Sequence, residues 1–168
     1  MPGTIPRASI VANSATATGL EWQAPASGST FIGVKATMSS LASISNNTHT
    51  LLTFDTEDFD TNGFHSTSSN TGRITIPSGQ NGYYQVILQL SANFSSSGIR
   101  RATLYLNGAA TAMQTSVNAA GAGQTKFQCV ALLNLVATDY LEFYVYQDSG
   151  SNLNFDTGNT FSAIKLGA

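Results

Sequence analysis

Apolar and polar residues alternate in short runs along residues 31–168, and turn-forming residues separate the runs. A period of two residues places alternate side chains on opposite faces of a strand, so this pattern predicts strands rather than helices. Nine runs are predicted as strands: 31–38, 49–54, 73–77, 82–94, 99–106, 111–117, 126–136, 140–147 and 160–166. The pair Asn107-Gly108 is typical of a tight hairpin turn. Many short strands with regular turns predict an all-β sandwich or jelly roll.

Residues 1–30 differ from the rest, with no sustained period of two or of 3.6 residues and three of the four prolines. Their sizeable apolar residues are Ile5, Ile10, Val11, Leu20 and Trp22. Five such side chains cannot offset the entropy lost on ordering, so this segment must lie on another surface to become ordered. We therefore predict an extended N-terminal docking arm over residues 1–30 and a head domain over residues 31–168. Leu20 and Trp22 are the predicted docking residues, because buried aromatic anchors dominate such contacts.

Composition excludes several classes of function. Charged residues make up only 10% of the 168, and seven basic against nine acidic residues give a net charge of −2. That balance predicts no nucleic-acid partner. No apolar run approaches the roughly 18 residues of a membrane-spanning helix, so no membrane insertion is expected, and no signal peptide is predicted. The single Cys129 excludes an internal disulfide and is predicted to be a small buried residue in a strand.

Candidate catalytic residues are few. The two histidines, His49 and His65, cannot by themselves supply the three protein ligands of a catalytic zinc site. Ser66 follows His65, and adjacent strand residues point to opposite faces, so the two cannot form a nucleophile–base pair. We predict a protein that is not an enzyme. A small glycan hydrolase using the carboxylates between Asp55 and Asp60 is the remaining enzymatic alternative.

The densest charge feature is the run DTEDFDTNG at residues 55–63. Asp58, Asp60 and Asn62 place oxygen-bearing side chains at alternate positions before Gly63, as the first half of a calcium-binding loop does. Ser69 stands where such a loop has its bidentate glutamate. We therefore favour a turn in which carboxylates cap backbone amides. The alternative is a weak Ca²⁺ site at Asp58, Asp60 and Asn62, and no other cofactor is predicted.

The run at residues 141–147 carries apolar bulk on both strand faces. Leu141, Phe143 and Val145 share one face, and Tyr144 and Tyr146 share the other. A monomeric sandwich should have a polar outer face, so two tyrosines there indicate a second buried surface. We favour a subunit interface at Tyr144 and Tyr146. A platform on which sugars stack is the alternative.

Residues 31–168 resemble the C1q/TNF-like jelly-roll domain in the form found in bacteriophage and bacterial surface proteins. The matching stretches occur in order: the acidic turn at 54–65, Ile-Pro followed by Gly-Tyr-Tyr at 73–84, the strand ending in Asn-Gly at 98–108, the turn at 138–141, and the last two strands at 146–150 and 161–166. Thr138 stands where the family's turn usually has glycine. The resemblance implies about ten strands and a homotrimer with aromatics of one sheet around the three-fold axis.

The stretch at residues 15–25, which contains TGLEWQAP, resembles a segment common in phage tail and fibre proteins. Together the two resemblances imply a non-enzymatic virion protein, displayed on the surface of the phage particle by its arm and held by other virion proteins of the capsid, tail or fibre base. The expected role is attachment to a host-surface glycan or protein, as a fibre tip or head fibre. The alternative is a capsid or tail decoration protein, a cement protein that binds no receptor.

Overall fold

The computed structural model describes residues 9–12, 20–23 and 31–168, and within 31–168 every regular element is a strand. The chain divides into two units, Met1–Phe31 and Ile32–Ala168. In the first unit β1 (Ser9–Ala12) and β2 (Leu20–Gln23) form a two-stranded antiparallel sheet, in which Ile10 is paired with Trp22. Neither strand was singled out from the sequence, and the docking role of residues 1–30 stays a prediction.

Twelve strands form the second unit, against the ten or so expected. They are β3 (Gly33–Thr37), β4 (Ala42–Ile44), β5 (Thr50–Leu51), β6 (Thr56–Asp60), β7 (Arg73–Thr75), β8 (Gly82–Ala92), β9 (Ile99–Leu106), β10 (Ala109–Asn118), β11 (Thr125–Leu135), β12 (Tyr140–Gln147), β13 (Leu153–Phe155) and β14 (Thr160–Gly167). All of their pairings are antiparallel. The predicted all-β architecture is confirmed.

The strands form two sheets. In the seven-stranded sheet the order is β4-β13-β8-β14-β3-β6, and β11 pairs along the whole of β8. In the five-stranded sheet the order is β10-β9-β12-β5, and β7 also pairs with β12. The hairpin between β9 and β10 turns at Asn107 and Gly108, whose φ angles are 52° and 79°, as the predicted tight turn requires.

The hydrophobic core lies between the two sheets. Strand alternation supplies it: β12 contributes Leu141, Phe143 and Val145, all fully buried, as the sequence predicted. Phe161 of β14 packs against Phe143, with ring centroids 5.0 Å apart. Cys129 of β11 is buried, as predicted, and that burial raises the pKa of its thiol. In the described parts of the chain, no helix has the length and apolar character needed to span a bilayer.

Candidate functional site

Strand β12 places a row of tyrosines on the outward face of the five-stranded sheet. Tyr140, Tyr144 and Tyr146 are each half-buried, and they alternate with the fully buried core residues of the same strand. Register pairs the outward residues of β9 with them, so that Arg101 lies opposite Tyr146 and Thr103 lies opposite Tyr144. Paired residues of antiparallel strands point to the same face, so both strands furnish one surface.

The rings of this surface contact one another. Tyr105 and Tyr144 have centroids 4.3 Å apart at an interplanar angle of 41°, and His49 lies 5.1 Å from Tyr146. Tyr146 also donates its hydroxyl proton to Asn47 Oδ1 at 2.9 Å. These contacts fix the orientation of the rings while leaving part of each exposed. We call the surface formed by Arg101, Tyr105, Tyr140, Tyr144 and Tyr146 the tyrosine face.

Two arginines lie on or beside the tyrosine face, and their surroundings differ. Arg73 of β7 donates to Glu142 Oε1 from Nε at 3.1 Å and from Nη2 at 2.9 Å, and its guanidinium lies 3.7 Å from the centre of the Tyr140 ring. Arg101 forms no ion pair within the described residues; its guanidinium lies 5.7 Å from the centre of Tyr146. The Nε of Arg101 is buried and has no hydrogen-bond partner.

Burial is the main cause that raises the pKa of the Tyr144 hydroxyl, and the negative charge of Glu142 adds to it. Tyr144 therefore stays neutral at physiological pH and can both donate and accept a hydrogen bond. Half-exposed rings, hydroxyl groups and one unpaired guanidinium together form a surface able to bind a ligand that has apolar faces, hydroxyls and negative charge. The sequence predicted that Tyr144 and Tyr146 share the outward strand face, and the structure places them there. Their role in a trimer stays a prediction.

The second notable surface is the outward face of the seven-stranded sheet. Register sets Val130 of β11 opposite Ile87 of β8, and Gln85 of β8 between Leu132 of β11 and Ile164 of β14. Leu132 is 66% exposed, Val130 is 47% exposed, and Tyr83 at the start of β8 is 56% exposed. We call the surface formed by Tyr83, Ile87, Val130, Leu132 and Ile164 the apolar face. An exposed cluster of large apolar side chains on one sheet is typical of a protein–protein contact.

The sequence analysis did not single out the apolar face. The signal was present, because residues 129–133 (CVALL) are apolar at every position instead of at every second one. Such a run predicts a strand that is covered on both faces. The other end of the same sheet is polar: Gln89 pairs with Gln128 and Ser91 with Lys126, and these residues line an open cleft of about 860 Å³.

The acidic run forms a capped strand end. Its first part is the strand β6 rather than part of the favoured turn, because it pairs with β3, whose Lys35 and Thr37 also bind Asp58 at 2.6 and 3.1 Å. These contacts hold the pKa of Asp58 below its usual value, and the contact with Lys35 is the largest cause. Asp60 accepts hydrogen bonds from the backbone amides of Gly63 at 2.8 Å and His65 at 2.9 Å.

Asp60 also accepts a hydrogen bond from the amide of Asn62 at 3.1 Å, and the side chain of Asn62 accepts one from Thr61. Asp60 therefore caps backbone amides, as in the turn that the sequence favoured, whereas the donors to Asp58 are the side chains of Lys35 and Thr37. No cluster of three or more acidic, histidine or cysteine side chains suited to a metal ion occurs within the described residues. The weak calcium site at Asp58, Asp60 and Asn62 stays a prediction.

His65 serves a structural contact. Its Nδ1 lies 2.9 Å from Glu57 Oε1 and its Nε2 lies 3.0 Å from the carbonyl oxygen of Thr71, and its side chain is fully buried. Both ring nitrogens are thus engaged, which ties the acidic strand to the following loop.

Of the docking pair, Leu20 and Trp22, the structure gives only the backbone within β2. The side chains that carry the docking prediction lie outside the described residues.

Comparisons with known proteins bear on the fold. No protein-family model matches the chain, and no curated protein sequence matches it. Among solved structures the chain is similar to the globular domain of zebrafish complement 1qA protein, with a TM-score of 0.52 and 15% identity over 81% of this chain and 98% of that one. The head therefore has the C1q/TNF-like jelly-roll fold that the sequence resemblance implied. Identity this low shows the fold alone, and the bacteriophage type of the domain stays a prediction.

Proposed function

We propose that this protein is a non-enzymatic structural protein of a bacteriophage virion. Its C1q-like head forms a homotrimer that is displayed on the particle through residues 1–30 and binds the host surface, as a fibre tip or head fibre. The jelly-roll fold and the resemblance of residues 15–25 to phage tail and fibre segments support this role. A rigid scaffold that presents polar loops and outward sheet faces is well suited to recognition.

The observation that carries the trimer is the apolar face. Burying the side chains of Leu132, Val130 and Tyr83 in a contact would contribute about 1–2 kcal/mol each. In a three-fold ring each contact joins two different patches of neighbouring chains, so the apolar face of one chain would pack against another patch of the next, and the ring closes after three chains. We place the trimer contact there rather than at Tyr144 and Tyr146, because those two rings already pack against residues of their own chain.

Light scattering with engineered variants tests this assembly. The purified protein should have about three times the 17.6 kDa mass of the chain. Leu132→Asp should dissociate it, since a charge buried in the contact costs several kcal/mol. Met113→Asp, which alters an exposed apolar residue of the other sheet, should leave the trimer intact. If Tyr146→Asp dissociates the protein and Leu132→Asp does not, the contact is at the tyrosines. A monomeric wild-type protein contradicts the proposal.

Deletion of residues 1–30 tests the display role of the arm. The truncated protein should remain a folded trimer with unchanged β-rich circular dichroism, because the core lies within the second unit. It should no longer be incorporated into particles. Incorporation of the truncated head would show that docking runs through the head instead.

The competing function is that of a cement protein. A fluorescently labelled, arm-deleted head should bind cells of the bacterial host if the protein is an adhesin. A cement protein should bind no cells, and particles that lack it should lose their contents at lower temperature. If the head binds no cells and particle stability depends on the protein, the cement function is favoured.

A further inference from the structure

We propose that the tyrosine face is a binding site for a carboxylate-bearing polysaccharide. This inference deepens the proposed attachment function and rests on it for the biological source of the ligand. Its starting point is the arrangement of Tyr144, Tyr146 and Tyr105, whose rings are held by neighbours but remain partly open to solvent.

The spacing of the rings suits an extended chain of sugars. Tyr144 and Tyr146 lie two residues apart on one strand, about 7 Å, and Tyr140 lies about 20 Å from Tyr146 along the same strand. Sugar rings present apolar C–H faces that pack on aromatic rings, and hydroxyl groups that need hydrogen-bond partners. The tyrosine hydroxyls and the exposed side chains of Gln114 and Ser116, paired with Thr103 and Arg101 in the neighbouring strand, supply such partners.

The charge of the site selects an acidic sugar. Arg73 is neutralised by Glu142, which leaves Arg101 as the cation of this face with no carboxylate partner among the described residues. Its Nε also has no acceptor, but that atom is buried, so a ligand would bond to the terminal nitrogens of the guanidinium. A ligand carboxylate would accept a charge-assisted hydrogen bond from this guanidinium while its ring packs on Tyr146. A neutral sugar would leave the guanidinium unpaired.

Other ligand classes fit the face less well. A nucleic acid requires several cations to neutralise its phosphates, and one unpaired arginine cannot supply them. An apolar protein partner would bury the guanidinium of Arg101 and the hydroxyls without satisfying them. The polar cleft on the seven-stranded sheet offers fewer free groups to a ligand, because its polar side chains bond to one another, as Ser91 does to Asp156 at 2.8 Å.

The test is binding of labelled acidic oligosaccharides, built from galacturonate, glucuronate or sialate, compared with a neutral oligogalactoside of equal length. The wild-type trimer should bind at least one acidic probe about tenfold more tightly than the neutral one. Arg101→Met keeps the length of the side chain and removes its charge, and it should abolish this preference. Lys126→Met, which removes a cation from the other sheet, should bind as the wild type does. Circular dichroism and light scattering verify that both variants fold and assemble.

Three results overturn the inference: no binding of any acidic probe, equal binding of acidic and neutral probes, or full binding by Arg101→Met. Binding of the full-length protein to whole bacterial host cells is measured in parallel with the same variants. If whole cells are bound equally by wild type and Arg101→Met, the attachment function stands and the site assignment fails. If cells are not bound while an acidic probe is, the site stands and the attachment function fails.

Discussion

Thr138 is the position at which the sequence departs most clearly from the C1q-like pattern, which has glycine there. Replacing Thr138 with glycine should stabilise the head. Its φ is +76°, a left-handed conformation that is unusual for a β-branched residue. The surrounding turn holds it there: the amide of Thr138 donates to the carbonyl of Ile76 at 2.9 Å, and the amide of Asp139 donates to the carbonyl of Val136 at 3.0 Å.

The expected gain follows from two opposing terms. A non-glycine residue in the left-handed region costs about 1–2 kcal/mol, which Thr138→Gly would recover. Glycine makes the unfolded chain more flexible, which costs about 0.4–1 kcal/mol. The side chain of Thr138 is exposed, so little packing is lost. The net gain is about 0.5–1 kcal/mol, and Tm should rise by about 1–4 °C.

Thermal unfolding followed by circular dichroism measures this shift. Ala137→Gly is the matched control, because Ala137 is the neighbouring residue and its φ is not positive. It carries the same entropic cost without relief of strain, so it should lower Tm. If Thr138→Gly lowers Tm as much as Ala137→Gly does, the left-handed conformation carries no strain and the reasoning is refuted.

Three further predictions concern the core and the pH dependence of stability. Phe161→Ala should cost about 3–5 kcal/mol in chemical denaturation, because its fully buried ring packs between Phe54 and Phe143; a cost below 1 kcal/mol would contradict this. Gln147→Glu should destabilise the head by more than about 2 kcal/mol at pH 7 and recover towards pH 4, since the buried amide donates to two carbonyl oxygens; equal stability at both pH values would refute it. Asp58 has a lower pKa in the folded state than its ordinary value of 3.8, so its ionised form stabilises the fold above pH 3.8. Stability should fall as the pH drops below that value, and Asp58→Asn should flatten the acid limb of a Tm–pH curve.

The strands that alternate strongly could be predicted from the sequence, and those held by pairing alone could not. β9 and β12 begin and end where the apolar pattern does, and the Asn107-Gly108 turn was found from its residue types. β6 was missed because four of its five residues are polar or charged. Its strand conformation comes from pairing with β3 at the sheet edge and from the Lys35–Asp58 ion pair. These contacts join distant parts of the chain, so no local pattern reveals them.

The candidate site shows a similar limit. Alternation placed Tyr144 and Tyr146 on the outward face of their strand, but it could not show which residues of other strands would surround them. The neighbours Arg101 and His49 are brought there by the order of strands in the sheet. The apolar run in β11, which the sequence analysis did not single out, could likewise have indicated a covered second face without showing which residues share it. Sheet topology decides both points, and it emerges only when the long-range pairings are known.

The two outward faces belong to opposite sheets, which leads to a last prediction about avidity. A trimer assembled through the apolar face would leave its three tyrosine faces turned away from the three-fold axis, where flexible chains of one polysaccharide layer could reach several of them. Linked sites of this kind raise apparent affinity by about 10²–10⁴ without new contacts. Leu132→Asp, as a monomer, should therefore bind a short acidic oligosaccharide with the Kd of the trimer, yet bind an immobilised acidic polysaccharide at least about 100-fold more weakly.

Surface plasmon resonance with both forms of the ligand separates the two quantities, and Lys126→Met, on the sheet opposite the tyrosine face, serves as the trimeric control that should match the wild type. Equal retention of monomer and trimer on the immobilised ligand would show that the three faces do not act together. Loss of oligosaccharide binding by a monomer that is still folded would show that a neighbouring subunit completes the tyrosine face. In that case the proposal that trimer assembly and ligand binding use opposite sheets would be wrong.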